Sequence, residues 1–186
     1  NSFGDNLARD IDNEAKTLIG ADLVLSRRAT PDDSVKALVS SFSGEKAEEK
    51  SFASMIFFPK TEDSRLIQVR AVEGPFPFYG EILTVPVEAA ATFRNANRQN
   101  LPLALVDQSL LLQFNAQIGD SIRVGNGMYK IEGSLLQAPG QSGIAATAAP
   151  VVYIPARSLS GTGLIRMGSR ITYKFYYKFP AGTDVS

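Results

Sequence analysis

Carboxylates are the side chains in this sequence best suited to acid–base catalysis, because its 186 residues include no His and no Cys. That composition excludes a Ser-His-Asp triad, thiol chemistry and disulfides, and a zinc site would need carboxylate ligands alone. Two adjacent pairs, Asp32–Asp33 and Glu48–Glu49, are potential acid–base partners. Ordinary structure explains both, since the first pair favours a helix N-terminus and the second lies in a charged stretch. Asp107 follows an apolar run and is interpreted as a helix cap, so we expect no catalytic residue and no enzymatic activity.

Two glycine loops and one basic strand raise the question of nucleotide or nucleic-acid binding. Residues 125–127 (GNG) and 161–163 (GTG) lack the spacing of a phosphate-binding loop, so we expect no ATP binding and no cofactor. Lys174, Tyr176 and Lys178 combine cations with an aromatic ring, as in proteins that hold single strands, but a period of two is typical of any half-exposed strand. Since 19 basic residues balance 19 acidic ones, we expect no nucleic-acid partner.

The strongest candidate for binding is the aromatic loop, residues 74–80 (GPFPFYG). Its prolines and glycines exclude regular structure, yet it carries Phe76, Phe78 and Tyr79. Packing over a sheet is the commoner fate of such large apolar rings. Alternatively, they form an exposed patch that contacts a partner or a lipid-like ligand. Phe76, Phe78 and Tyr79 are therefore our candidate contacts for a partner or client, with both interpretations open.

The elements that position this loop follow from the apolar periodicity of the chain. Helices are predicted over residues 7–18, 31–42, 86–98 and 107–114. Strands are predicted over residues 21–25, 52–58, 66–72, 103–106, 122–124, 128–131, 151–154 and 171–179. Residues 44–50 are charged and predict a solvated loop, and residues 138–149 predict a flexible one. The mixed order of strands and helices, without an internal repeat, predicts an α+β (mixed α/β) fold.

The sequence has no segment that suits a bilayer or a secretion signal. No apolar run approaches the roughly 18 to 20 residues that a membrane-spanning helix needs. The first residues have neither a basic region nor an apolar region, as a signal peptide would. We interpret the chain as part of a larger protein, with its C-terminal end falling inside a domain.

Six stretches, taken together and in this order, resemble a known family. They are residues 20–26 (GADLVLS), 69–80 (VRAVEGPFPFYG), 104–107 (ALVD), 118–122 (IGDSI), 150–154 (PVVYI) and 168–179 (GSRITYKFYYKF). In order and spacing they resemble the extracytoplasmic, MacB-like periplasmic core domain of FtsX-like ABC transporter permeases. The similarity extends over nearly the whole chain. Within the broader MacB and LolC/LolE class, it is greatest to the large bacterial permeases encoded beside a lysophospholipase.

The resemblance implies a location, a domain organisation and partners. The domain would face the periplasm from the bacterial inner membrane, attached through flanking transmembrane helices. Residues 1–80 and 150–186 would form a porter-like subdomain, and residues 81–149 a small inserted α/β subdomain. A cytoplasmic ABC ATPase subunit would be one partner and a periplasmic client or carrier protein another. No catalytic, metal-binding or cofactor-binding residue is implied for this domain.

Three functional hypotheses remain open from the sequence. The first is a permease domain that transmits cytoplasmic ATP hydrolysis to the handling or release of an envelope substrate, such as a lipoprotein or another lipid-linked molecule. The second is a stand-alone envelope hydrolase that uses carboxylates. The third is a purely structural domain that recruits a periplasmic partner.

Overall fold

The computed structural model describes residues 21–28, 32–77, 81–96, 101–138, 149–165 and 170–181. Within these ranges the strands are Leu23–Arg27 (β1), Glu45–Phe58 (β2), Asp63–Glu73 (β3), Leu83–Val85 (β4), Leu103–Asp107 (β5), Ser121–Val124 (β6), Gly127–Gln137 (β7), Val151–Pro155 (β8) and Thr172–Lys178 (β9). The α-helices are Asp33–Ser41 (α1), Ala89–Asn95 (α2) and Gln108–Gln113 (α3), and Ala156–Gly161 is a 3₁₀ helix. This combination confirms the predicted mixed α/β class.

A long antiparallel hairpin of β2 and β3 lies in the middle of the sheet, between β9 and β8. Its register runs from Phe58 opposite Asp63 to Glu48 opposite Glu73. Side chains alternate across a strand, so Phe52 and Ile56 of β2 share one face with Ile67 and Val69 of β3. All four are buried, which explains why these positions hold aromatic and β-branched residues.

The sheet closes on itself because β2 is long enough to pair with different strands along its length. Its first half, Glu45 to Ser51, pairs with β9, whereas Ile56 and Phe57 near its end pair with β6. Strands β2, β3, β8, β5, β7 and β6 therefore follow one another in a closed ring of hydrogen-bonded neighbours. Such closure leaves these strands fewer free edges and encloses a core.

The largest apolar cluster fills this barrel. Its buried members on the six barrel strands are Phe52, Ile56, Phe58, Ile67, Val69, Ala71, Ala104, Val106, Ile122, Val124, Tyr129, Ile131, Val152 and Ile154. Leu110 and Leu111 of α3 and Leu159 of the 3₁₀ helix add to it. The barrel takes strands from both predicted subdomains, and β8 pairs with β3 on one side and β5 on the other. The division at residues 80 and 150 stays a prediction.

Two smaller clusters cover the outer face of the sheet. The α2 cluster places Ala89, Ala90 and Phe93 against Leu105, Leu135 and Tyr153. The helix can approach this closely because β7 has Gly133 beneath it, where an added Cβ would lie 2.5 Å from the Cβ of Ala89. The β9 cluster consists of Ala21, Ala47, Phe76 and Tyr176, with Val24 packed against it. These two clusters flank Arg70 of β3, which contacts Tyr153 of the first and Tyr176 of the second.

Several local predictions are confirmed and others are wrong. The Asn126–Gly127 hairpin forms between β6 and β7, with Gly125 at a positive φ of 58°. Residues 44–50 are not a solvated loop, because Glu45 to Lys50 begin β2 and pair with β9. The helix predicted over residues 86–98 spans only Ala89–Asn95, and β4 before it was not predicted. The helix predicted over residues 7–18 lies outside the described residues.

Candidate interaction surface at the aromatic loop

The base of the aromatic loop, Gly74 to Pro77, leaves β3 tightly against β2. Gly74 has a φ of +90°, a region that L side chains rarely adopt. A Cβ at this position would lie 2.8 Å from the carbonyl oxygen of Lys46 and 3.1 Å from the Cα of Ala47. The loop base is therefore held against the first half of β2, where only glycine fits.

Phe76 belongs to the packed interior rather than to the exposed surface. Its side chain is 2% exposed, and its ring lies 4.1 Å from that of Tyr176, centroid to centroid. This burial favours the packing interpretation for Phe76. Phe78 and Tyr79 lie outside the described residues, so a contact role for the loop stays a prediction.

A buried ion pair lies beside this aromatic contact. The Nε of Arg70 on β3 donates a hydrogen bond to Oε1 of Glu49 on β2 at 2.7 Å, and Nη2 of Arg70 lies 2.6 Å from the same oxygen. The other carboxylate oxygen, Oε2, accepts a 2.7 Å hydrogen bond from the hydroxyl of Ser51. Glu49 is 1% exposed and Arg70 is 7% exposed. Both charges are thus removed from water and neutralised by each other.

Two tyrosines enclose the guanidinium of Arg70. The hydroxyl of Tyr176 accepts a 3.4 Å hydrogen bond from Nη2, and the ring of Tyr153 lies 4.8 Å from Cζ of the guanidinium. Burial opposes the charged form of Arg70, but the adjacent Glu49 carboxylate, together with Tyr153 and Tyr176, more than offsets this, and the pKa of Arg70 is raised. Burial also raises the pKa of Tyr153 and Tyr176, so both phenols are neutral at physiological pH.

Sequence reasoning missed this network because it assigned Glu49 to a loop. Nothing in the sequence marked Arg70 as buried, because Gln68 and Arg70 alternate with Ile67, Val69 and Ala71 as the polar residues of a solvated face would. Its partner could not be identified, since pairing of Glu49 with Arg70 depends on the register of β2 and β3. Tyr176 was expected on the exposed face of β9 and is buried instead, because Phe76 covers it.

Two clefts flank α2 near the loop. One, of about 200 Å³, is lined by Val72, Glu73, Gly74, Phe93, Arg94, Pro155, Ala156 and Arg157. The other, of about 230 Å³, is lined by Pro77, Glu81, Ile82, Leu83, Thr84, Val87, Ala90, Ala91 and Arg94. Gly74 and Pro77 of the aromatic loop therefore each border a cleft, and Arg94 lines both. The first cleft carries two arginines beside Glu73, whereas the second is largely apolar.

Three of the carboxylates considered for catalysis, Asp32, Glu49 and Asp107, have structural roles. Asp32 caps α1: its Oδ1 accepts hydrogen bonds from the amide of Val35 at 3.0 Å and the hydroxyl of Ser34 at 2.6 Å. These bonds, led by that from Ser34, lower the pKa of Asp32. Asp107 caps α3 in the same way, accepting from the amide of Ser109 at 2.9 Å, which confirms that prediction. In the described ranges, no three His, Cys, Asp or Glu side chains are grouped closely enough to hold a metal ion.

Comparison with known proteins defines the class. The sequence is 29% identical over 129 residues to the uncharacterized ABC transporter permease YbbP of Escherichia coli K12; the match spans 69% of this chain and 15% of that relative. A domain of a predicted permease protein from Porphyromonas gingivalis superposes with a TM-score of 0.53 at 12% identity, covering 87% of this chain and 75% of that one. The periplasmic region of MacB from Actinobacillus actinomycetemcomitans gives a TM-score of 0.47 at 13% identity, with 91% and 80% coverage. The sequence relative is thus an ABC transporter permease, and the Porphyromonas gingivalis domain shares the fold of this chain.

The particular family follows from the match over the full sequence. A family model described as the MacB-like periplasmic core domain covers residues 2–186, and the chain belongs to that family. This confirms the resemblance seen in the sequence. The family is one of permease domains and not of enzymes, which agrees with the expected lack of enzymatic activity. No helix among the described residues is long and apolar enough to cross a membrane.

Proposed function

We propose that this domain faces the periplasm from an inner-membrane ABC permease and transmits cytoplasmic ATP hydrolysis to the handling or release of an envelope substrate. The family assignment and the permease relative support this proposal. In it, membrane helices flank the domain in the complete permease, and a cytoplasmic ABC ATPase subunit drives them. A lipoprotein or another lipid-linked molecule is the proposed substrate, and a lysophospholipase gene beside the permease gene stays a prediction.

The observation that carries the proposal is the pairing of the first and last described strands. Leu23 of β1 lies opposite Tyr177 of β9 in antiparallel register. The amide of Asp22 donates to the carbonyl of Tyr177 at 2.9 Å, and the amide of Phe179 donates to Oδ2 of Asp22 at 2.9 Å. The start of β1 and the end of β9 therefore lie side by side. This arrangement suits a domain inserted between two membrane helices.

The same strands connect directly to the aromatic loop. Strand β9 lies between β1 and β2, and its Tyr176 packs against Phe76. A displacement of the β1–β9 pair is therefore passed to the loop base through a direct side-chain contact. The closed barrel beside it has a close-packed interior, which transmits strain instead of absorbing it.

The proposed contact with a client or partner is the aromatic loop, with Phe78 and Tyr79 as the contacting rings. Phe76 is proposed to act in the same loop through its packing on Tyr176. The apolar cleft between Pro77 and α2 and the arginine-lined cleft beyond it extend this surface. Aromatic rings beside apolar and cationic groups are typical of interaction surfaces.

Nucleotide-dependent movement of the domain tests this proposal. The chain contains no Cys, and Val87 is 85% exposed, so Val87→Cys provides a single labelling position in this domain. The complete permease and its ATPase would be placed in nanodiscs, with a donor dye at Val87→Cys and acceptor dyes on lipid headgroups. We expect energy transfer to change between nucleotide-free and ATP-trapped states, and an inactive ATPase variant to abolish cycling between the two levels. Equal transfer in both states would contradict transmission and favour a static recruiting domain.

Membrane sidedness is tested with the same variant. In intact cells with a permeabilised outer membrane, a membrane-impermeant maleimide should label Val87→Cys. Protection from the reagent until the inner membrane is lysed would contradict a periplasmic location.

A further inference from the structure

The Glu49–Arg70 pair occupies an unusual position, between the α2 cluster and the β9 cluster on the outer face of the sheet. Tyr153 of the first cluster contacts Arg70 from one side, and Tyr176 of the second contacts it from the other. We propose that this ion pair is a positioning element that sets the place of the aromatic-loop base relative to β9. The proposal deepens the function given above, because that loop is the proposed contact surface.

The net stability of the fold does not require an ion pair at this site. Two charges lose their hydration on burial, and replacing a buried pair with apolar residues of similar volume is often neutral or stabilising. The surroundings are apolar, with Val72, Tyr153 and Ala47 nearby in the two clusters. Leu or Met side chains would fill such a site. The charged pair therefore contributes hydrogen bonds of defined orientation and not net stability.

The orientation of these hydrogen bonds comes from the geometry of the Arg70 guanidinium. It is planar, and its donors point along defined axes, so it orients its neighbours in a way that apolar side chains cannot. One edge is held by Glu49, whose second oxygen is in turn held by Ser51. Nη2 also reaches the hydroxyl of Tyr176. The pair thereby links β3 to β2 and to β9 with bonds of specific orientation.

Tyr176 passes this orientation to the loop base. Its ring packs against Phe76, so the hydroxyl contact with Arg70 and the ring contact with Phe76 are made by one rigid side chain. On the other side, Gly74 lies against Lys46 and Ala47, which precede Glu49 on β2. The loop base is thus held from both directions by residues that surround the ion pair.

Amide hydrogen exchange on the 186-residue chain, resolved by NMR, tests the positioning role. The variant Glu49→Leu/Arg70→Met replaces the pair with apolar residues. We expect about tenfold faster exchange at the amides of Gly74 and Phe76, with no change at Ile56 and Ile67 in the barrel and no fall in the melting temperature. Unchanged exchange at Gly74 and Phe76 would overturn the proposal. A uniform rise across the barrel would also overturn it, since the pair would then act only on global stability.

Two single variants test the contact between Tyr176 and Arg70 separately from the burial of the two charges. Tyr176→Phe keeps the ring that packs on Phe76 and removes the hydroxyl that contacts Arg70, so a smaller local rise at the same amides is expected. Tyr153→Phe is the matched control, because in the described ranges its buried hydroxyl has no hydrogen-bond partner, and it should leave these amides unchanged. Should the double variant fail to fold, Tyr176→Phe decides alone: equal effects of the two tyrosine variants would refute the proposal. None of these measurements depends on transport, so their failure is distinct from failure of the proposed function.

Discussion

Phe76 and Tyr176 join the aromatic loop to the last described strand through rings whose centroids lie 4.1 Å apart, at an interplanar angle of 34°. The contact is buried on both sides, since Phe76 is 2% exposed and Tyr176 is 3% exposed. A loop whose sequence indicates a binding element is therefore partly packed in the protein interior. Phe76 is thus a structural anchor for the base of the loop.

Replacement of Phe76 with Ser should destabilise the domain strongly. Removing a buried aromatic side chain costs about 3 to 5 kcal/mol, and the loss here also leaves Tyr176 without its cover. Equilibrium unfolding in urea should show this decrease. Leu112→Ser is the control, because Leu112 is 76% exposed on α3 and should change the free energy of unfolding by less than about 0.5 kcal/mol. Equal unfolding midpoints for the two variants would show that Phe76 is not a core residue.

Replacement of Gly133 with Val should weaken the packing of α2 on the sheet. Even a Cβ at this position would lie 2.5 Å from the Cβ of Ala89 and 3.3 Å from Cδ2 of Leu105, so the helix must move outward. Overpacking of this kind costs about 1 to 3 kcal/mol, measurable by thermal or urea unfolding. Gly161→Ala is the matched control, because an added Cβ there meets nothing within 4 Å. A Gly133→Val variant as stable as that control would contradict the packing described.

Stability should fall at alkaline pH because four tyrosines are shielded from ionisation. Burial raises the pKa of Tyr129, Tyr153, Tyr176 and Tyr177 above the ordinary value of 10.0. The unfolded chain releases these protons at lower pH than the folded one. The stabilisation is therefore complete below about pH 10 and is lost as the pH rises from there toward the folded-state values. Melting temperatures measured from neutral pH upward should decline from that point, and a flat profile through it would contradict the burial of these phenols.

Replacement of Tyr153 with Phe should be neutral or stabilising near neutral pH. Within the described ranges the Tyr153 hydroxyl is buried without a hydrogen-bond partner, and an unsatisfied buried polar group costs about 1 to 3 kcal/mol. The phenyl ring retains the contact with the Arg70 guanidinium. The same variant should show a shallower decline of melting temperature above pH 10, since one shielded phenol is gone. A loss of stability at neutral pH would reveal a partner for that hydroxyl.

Much of the local structure could be predicted from short-range patterns. Asn126–Gly127 predicted the β6–β7 hairpin, and Asp107 predicted the cap of α3, because each depends on residues a few positions apart. The failures occurred where a distant strand decides the outcome. Glu45 to Lys50 looks like a solvated loop by composition but becomes a strand through backbone pairing with β9. Solvation favours a loop conformation for an isolated charged stretch. Backbone hydrogen bonds to a strand distant in sequence override that preference.

The fold class, the family and the exclusion of His- and Cys-dependent chemistry could be predicted without a structure. These follow from composition, periodicity and the order of short stretches, which are present in the unfolded chain. Three features became evident only in the folded chain: β2 closes the barrel through β6, Glu49 pairs with Arg70, and Phe76 is buried by packing on Tyr176. Each of these joins residues far apart in sequence. Their proximity results from strand register and barrel closure, and it is burial that converts a solvated carboxylate into the partner of a buried guanidinium.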